Sequence, residues 1–224
     1  MPIYKKVNKN FFKKWTGEMA YVLGFFAADG YITLNKRGAY FWSIQITDKI
    51  ILENIKKAVQ ADHKISVRSP RGNNSILYRL QIGSKEMCRD LQKLGFVQGK
   101  TKSLAVPNVP KKYFSDFVRG YFDGDGNVWM GFVHKERITK LLAIRTVFTS
   151  CSMQFLEVMR QRLDAFGVKT GVLKKENGNY YRLIYSIHGS LKLSDFMYNH
   201  NAYISKFFLK RKKKIFERYI KMRP

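Results

Sequence analysis

Two short stretches of this chain end alike. Val22-Leu23-Gly24-Phe25-Phe26-Ala27-Ala28 runs into Asp29-Gly30, and Val118-Arg119-Gly120-Tyr121-Phe122-Asp123-Gly124 runs into Asp125-Gly126. Small residues recur four apart in both: Ala20, Gly24 and Ala28 in the first, Gly120 and Gly124 in the second. Positions i and i+4 share one helix face, so each stretch offers a flat strip that another backbone can approach closely. If the strips pack on each other, Asp29 and Asp125 arrive side by side at the foot of the pair. Two carboxylates a few ångströms apart do not both stay ionised cheaply unless a cation sits between them. Such oxygen donors suit a hard divalent ion of the Mg²⁺ type. That ion activates water and stabilises the leaving oxygen in phosphodiester hydrolysis. One Asp-Gly after an apolar helix is ordinary turn chemistry. Two copies that share the spacing and an aromatic pair (Phe25-Phe26, Tyr121-Phe122) ask for a common role.

The elements that position these acids repeat as well. Thr16 is placed to cap the first motif helix. After Gly30 the chain reads as a hairpin, Tyr31 to Leu34 and Tyr40 to Thr47, turning at Asn35 to Gly38. In its second strand Trp42, Ile44 and Ile46 alternate with Ser43, Gln45 and Thr47, which gives one core face and one polar face. Ile50 to Ala61 has helical periodicity. A second hairpin, Lys64 to Ser69 and Ile76 to Ile82, turns at Pro70 to Asn74, and a helix from Ser84 to Leu94 closes the half at Gly95. Lys100 to Pro110 is a basic linker stopped by Pro107 and Pro110. Then the order repeats, with hairpins at about Asn127 to Thr149 and around Glu176 to Asn179. Helices are expected at Leu191 to Asn199 and Ile204 to Lys221. Phe155-Leu156-Glu157 answers Ile51-Leu52-Glu53, and Tyr181-Arg182-Leu183 answers Tyr78-Arg79-Leu80. The expected architecture is α+β: two pseudo-twofold-related αββαββα halves, residues 1–99 and 113–224 joined by 100–112. Each half carries an antiparallel, saddle-shaped sheet, and the two motif helices pack at the centre.

Charge points to the partner. The chain has 42 Lys and Arg against 16 Asp and Glu, a formal charge of +26, with 45% hydrophobic residues. A folded protein with such an excess repels itself and usually meets a polyanion. No run of 18 or more apolar residues and no dominant basic amphipathic helix argues for a membrane, which leaves nucleic acid. Cys88 and Cys151 cannot build a disulfide framework, and the four histidines lack metal-ligand spacing. No signal peptide follows the basic Met1 to Trp15, so an intracellular setting is expected. A two-stranded ribbon fits the major groove. A strand of about eight residues spans about 27 Å, or roughly eight base pairs of duplex per half. The outward residues suited to base edges and phosphates are Ser43, Gln45, Arg68, Arg79 and Gln81 in the first half. In the second they are Arg145, Thr149, Arg182 and Ser186.

These residues resemble a known family, the LAGLIDADG homing endonucleases, in the single-chain form with two motifs. Val22 to Gly30 and Val118 to Gly126 match the two motifs, and the likeness covers nearly the whole chain. The resemblance implies a site-specific endonuclease that breaks both strands of a long asymmetric DNA target across the minor groove. It implies a metal at Asp29 and Asp125, with Ala28 and Gly124 beside it. Mg²⁺ or Mn²⁺ would support cleavage, and Ca²⁺ would bind without doing so. Lys102 and Lys212 match the basic residue that members place near each acid, so both join Asp29 and Asp125 as catalytic candidates. Asp48 and Ser152 align with positions that order water in some members, and Asp123 reads as structural or outer-shell. Both motifs lie in one chain, so a monomer is expected. The alternatives are an intron RNA maturase, alone or with cleavage, and a non-catalytic DNA-binding regulator that would lack the acids. An intein is disfavoured because no flanking splicing sequence is present.

Overall fold

The structure is a computed structural model that describes residues 5–68, 75–97, 99, 103–134, 136, 138–200 and 207–223. Helix α1 (Gly17–Asp29) starts where Thr16 Oγ1 accepts the Met19 N–H at 3.0 Å, as its sequence predicts. It leads into β1 (Gly30–Leu34), β2 (Tyr40–Ile46), α2 (Lys49–Ala58), β3 (Ile65–Arg68), β4 (Leu77–Gly83) and α3 (Lys85–Lys93). A short 3-10 turn (Lys111–Tyr113) feeds the second motif helix, α4 (Phe114–Asp125). Then come β5 (Gly126–Val133), β6 (Leu141–Ser150), α5 (Met153–Asp164), β7 (Val172–Lys175), β8 (Tyr181–Tyr185), α6 (Ile187–Tyr198) and α7 (Lys210–Met222). Each half builds an antiparallel four-stranded sheet, in the orders β1-β2-β4-β3 and β5-β6-β8-β7. The doubled order read from sequence is the order of the fold.

Alternation sets the two faces of each sheet. Trp42, Ile44, Leu80 and Ile82 are fully buried on the inner face of the first. The ladder aligns Tyr31, Ser43 and Gln81 on the other. Helix α1 is buried from Met19 through Ala27, the pattern of a helix that is apolar all round because it is enclosed. One side meets α4 and the other its own sheet, where Phe26 sits edge-on to Trp42 and Phe96. For α4, Phe122 sits edge-on to Phe148 of the second sheet, and Tyr121 packs tilted against Phe155 of α5. Arg162 of α5 binds the carbonyl oxygens of Pro107 and Val109 and lies 3.9 Å from the Phe114 ring centroid. That fixes the linker against the entrance to α4.

Three helix boundaries differ from expectation. Helix α2 ends at Ala58 rather than Ala61, α6 starts at Ile187 rather than Leu191, and α7 starts at Lys210 rather than Ile204. The last shift has a local cause. The Leu209 N–H is bound to Asp123 Oδ2 at 2.8 Å, and Leu209 itself is extended. The anticipated turn at Pro70 to Asn74, part of the linker and residues 201–206 lie outside the described residues. Among the described residues no helix is long and apolar enough to cross a membrane.

Candidate active site

The small-residue strips meet. A Cβ added at Gly120 would stand 2.9 Å from the Tyr21 carbonyl carbon and from the Phe25 nitrogen, nearer still to the Tyr21 oxygen. One at Gly24 would stand 2.9 Å from the Tyr121 nitrogen and collide with the Phe117 carbonyl. Each glycine therefore lies on the backbone of the opposite helix. Gly124 lies on Ala28, and Ala20 is fully buried. Gly24, Ala28, Gly120 and Gly124 therefore lie in the seam between the two helices.

Asp29 and Asp125 are the last residues of α1 and α4. Asp29 is half-buried and Asp125 exposed. The Asp29 Oδ2 atom lies 3.2 Å from where a Gly124 Cβ would stand, directly beside Asp125. The feet are therefore adjacent, and glycine is required there by Ala28, whose Cβ the added carbon would strike. A cleft of about 290 Å³ opens on each side. One is lined by Asp29, Tyr31, Val97 and Gly99, the other by Asp125, Tyr121, Thr149 and Cys151. Helix C-termini carry partial negative charge, and neither helix has a basic residue in its last turn. Two helix ends and two carboxylates thus concentrate negative charge at one place. The donor set is all oxygen and suits a hard divalent cation. Among the described residues no third His, Cys, Asp or Glu joins them.

A basic group that feels both acids is Lys212 of α7. It is buried, and its ammonium donates to the carbonyl oxygens of Phe122, Asp123 and Gly126 at 2.6, 2.9 and 2.6 Å. Those are end carbonyls of α4 and the first of β5, so Lys212 caps the foot that carries Asp125. Burial lowers its pKa to about 8, while Asp123, Asp29 and Asp125 pull the other way. Lys212 therefore sits below the acids with its three protons directed at backbone. Lys102 lies outside the described residues.

Asp123 joins a buried network that sequence reasoning largely missed. Its Oδ2 accepts from the Tyr21 hydroxyl across the helix pair at 2.7 Å and from Leu209 N–H. Its Oδ1 is buried with no hydrogen-bond partner among the described residues. Burial raises its pKa to about 6, against the lowering effect of Tyr21, Leu209, Lys212 and Arg119. Arg119, fully buried, pairs with Asp116 and donates to the carbonyls of Phe207 and Met197. A signal was available: Asp116 and Arg119 stand where the first copy has Ala20 and Leu23. Asp48 and Ser152 are helix caps. Asp48 accepts from the Ile50 and Ile51 N–H groups, and Ser152 accepts from Phe155 N–H while donating to the Leu104 carbonyl. Both side chains already have a structural use.

The outward strand residues fall into groups. Gln45, Arg79 and Gln81 are half-exposed on one face, and Arg68 is exposed at the end of β3. Arg79 Nε is buried without an acceptor among the described residues. Ser43 must be corrected: it points to that face but is fully buried, because the ladder sets Tyr31 and Gln81 on either side of its short side chain. In the second half Arg145 is exposed, and Thr149 is half-buried at the mouth of the Asp125 cleft. Arg182 is committed within the protein, to Glu176 at 3.4 Å and to the Tyr180 ring. Ser186 is exposed, but it lies past the end of β8 at the N-cap of α6.

Comparison with known proteins agrees with this geometry. The chain shares 33% identity over 141 residues with a probable translation initiation factor IF-2 of Thermococcus kodakarensis, covering 61% of this chain and 10% of that protein. It shares 30% over 115 residues with a DNA-directed RNA polymerase subunit Rpo1C of Methanocaldococcus jannaschii, covering 50% and 13%. The chain thus spans only about an eighth or less of these relatives. Among solved structures, the LAGLIDADG meganuclease I-AabMI bound to uncleaved DNA superposes with a TM-score of 0.60 at 16% identity, over 90% of this chain and 88% of that one. I-SmaMI bound to an uncleaved DNA target with calcium ions gives 0.60 at 14%, over 93% and 90%. At such identities the likeness establishes the fold. The LAGLIDADG-like domain matches twice, over residues 16–95 and 115–193. The chain belongs to the LAGLIDADG-like domain family, with two copies of the domain in one polypeptide.

Proposed function

We propose that the protein is a metal-dependent, site-specific DNA endonuclease that breaks both strands of one long asymmetric target, acting as a monomer. One observation carries this reading. The two helix ends bring Asp29 and Asp125 together, with Asp29 Oδ2 fitted beside Gly124. A regulator that only bound DNA would have no need for an acid at each of two adjoining helix ends. The relatives described above include structures bound to uncleaved DNA, one with calcium ions. The two curated relatives have unlike roles yet each shares a minor part of its length with this chain, which suits a module carried in unrelated hosts.

In this reading Asp29 and Asp125 hold a hard divalent ion, with the residues before them, Ala28 and Gly124, at its edge. The bound ion supplies an activated water and charge stabilisation at the leaving oxygen. The chain's own residues do the rest. The outer sheet faces bind the duplex on either side, with Gln45, Arg79 and Gln81 in one half and Arg145 and Thr149 in the other. Lys212 keeps the end of α4 in place and offsets the negative charge gathered there. The clefts beside each acid give each strand its own approach.

The test replaces one acid at a time. Asp29→Asn and Asp125→Asn should each abolish double-strand cleavage in Mg²⁺ while target binding stays within a few-fold. A chelator should do the same to the unaltered protein. A variant that is folded by circular dichroism and still cuts both strands at the original rate would sink the assignment.

A further inference from the structure

The two outer sheet faces are related by the repeat, and their ladders can be compared position by position. Gly30 pairs with Ile44 and Gly126 with Phe148, so the two registers coincide. Arg79 then corresponds to Arg182, and Gln45 to Thr149. At other matched positions the chemistry changes, and in both directions. Thr33 and Gln81 of the first half, with the buried Ser43, become Trp129, Ile184 and Val147 of the second, whereas Tyr31 and Phe41 become Asn127 and Arg145. The outcome differs in exposure: Tyr31 and Phe41 are half-buried, whereas Trp129 and Val172, exposed apolar side chains of this face, belong to the second half.

This apolar surface is open and built. Trp129 is 46% exposed, with Val172 51% exposed on the same face. The indole has a seat. A Cβ at Gly131 would lie 2.6 Å from its Cζ2 atom, so the ring rests over Gly131, and the residue across the ladder there is Ala143. Two small residues under the ring let it lie along the sheet. Arg145, exposed, is the residue opposite Trp129 across the ladder, so this face carries a cation beside its apolar groups. An exposed apolar patch calls for a partner, and in a protein of +26 charge with arginine at the patch the partner is a polyanion that also offers apolar groups. In the major groove that description fits one group, the C5 methyl of thymine.

We propose that the C-terminal half reads its half-site by apolar contact with thymine methyl groups, centred on Trp129, whereas the N-terminal half reads by hydrogen bonding. This rests on the outer faces being the duplex-binding surface. The specificity of the two half-sites is therefore of different chemical kinds. The first discriminates by donors and acceptors, and the second by the presence of methyls, including the methyl of 5-methylcytosine.

The experiment uses the duplex that the full chain selects from a randomised library, then resynthesises it with deoxyuridine for thymine in one half at a time. Deoxyuridine removes the methyl and leaves every hydrogen-bonding edge unchanged. One buried methyl at about 0.8 kcal/mol corresponds to about fourfold in affinity. Substitution in the half bound by the C-terminal sheet should weaken binding by about fourfold per contacted methyl, read by fluorescence anisotropy. In the other half it should change affinity less than twofold. Trp129→Ala should bind more weakly and lose that methyl sensitivity, and Trp129→Phe should restore part of it. If a duplex is selected and deoxyuridine is silent in both halves, the inference fails while the endonuclease reading stands. If no duplex is preferred, both fail. If sedimentation shows copies of the chain joined through this face and separated by Trp129→Ala, the patch is a protein contact and the inference is overturned.

Discussion

Gly120→Ala adds a single methyl at the centre of the molecule, and the structure says where it goes. The new Cβ would stand 2.9 Å from both the Tyr21 carbonyl carbon and the Phe25 nitrogen. Carbon atoms in ordinary contact sit about 3.5–4.0 Å apart, so α1 and α4 must part by about 1 Å. The obstacle is backbone in the middle of a buried helix, and no side chain can swing aside. Overpacking of this kind costs about 1–3 kcal/mol, less about 1 kcal/mol recovered from the better helix propensity of alanine. Parting the helices also loosens the contact of Gly24 with Phe117, because both glycines serve one seam. The clearest measurement is therefore a double-mutant cycle with Gly24→Ala, followed by urea unfolding. Once one methyl has forced the helices apart, the second meets less resistance, and the pair should cost less than the sum by about 1 kcal/mol. Cleavage should fall further than stability does, since a misplacement of about 1 Å can cost about a hundredfold in rate. Strict additivity, or a Gly120→Ala protein with unchanged stability and cleavage, would refute the idea of one rigid seam that sets the spacing of the acids.

Two further outcomes follow from particular contacts. Lys212→Met takes a donor from three carbonyls. Phe122 keeps the Gly126 N–H, and a carbonyl left unpaired costs about 1–3 kcal/mol, but the change relieves a buried charge whose pKa is lowered to about 8. A net loss of about 2 kcal/mol in urea melts is expected, and no loss would mean that the cap does not hold the foot of α4. Arg79→Ala should cost about 1–3 kcal/mol at one base position only, whereas Lys14→Ala in the basic arm should weaken all sequences alike and reduce the salt slope by about one unit. Binding profiles over all single-base variants decide this, and an equal loss for every variant in Arg79→Ala would make that arginine a phosphate clamp.

What could be read from sequence was what close approach and alternation dictate. Gly24 and Gly120 are glycines because a backbone lies on each, and spacing alone reveals such a constraint. The strands were visible because Trp42, Ile44 and Ile46 must face a core. What depends on third parties was hidden. Ser43 has the outward parity of a reading residue, but its burial comes from Tyr31 and Gln81 on two other strands. Arg182 repeats Arg79 in sequence, yet Glu176 across the hairpin takes its guanidinium. Lys212 stands in a run of five basic residues that looks like a solvated face. Only the fold shows that this lysine turns inward onto the end of α4 while its neighbour Arg211 stays exposed.

The departures from symmetry have a common logic. Ala20, Leu23 and Ala27 of α1 correspond to Asp116, Arg119 and Asp123 of α4. The apolar trio lets α1 sit in hydrocarbon, held by packing. The charged trio ties α4 to the end of α6 and to the start of α7: Arg119 takes the Met197 and Phe207 carbonyls, and Asp123 takes the Leu209 N–H. Tyr21 completes the arrangement by reaching from α1 to Asp123. Buried charges of this kind add little net stability, since desolvation offsets most of their attraction. They do discriminate between registers. A slide of α4 by one residue would take Asp123 away from both Tyr21 and Leu209, and it would move Gly120 off Tyr21 and Asp125 away from Asp29. The glycine seam makes close approach possible at several settings along the strip. The buried carboxylate selects the setting at which the two acids face each other.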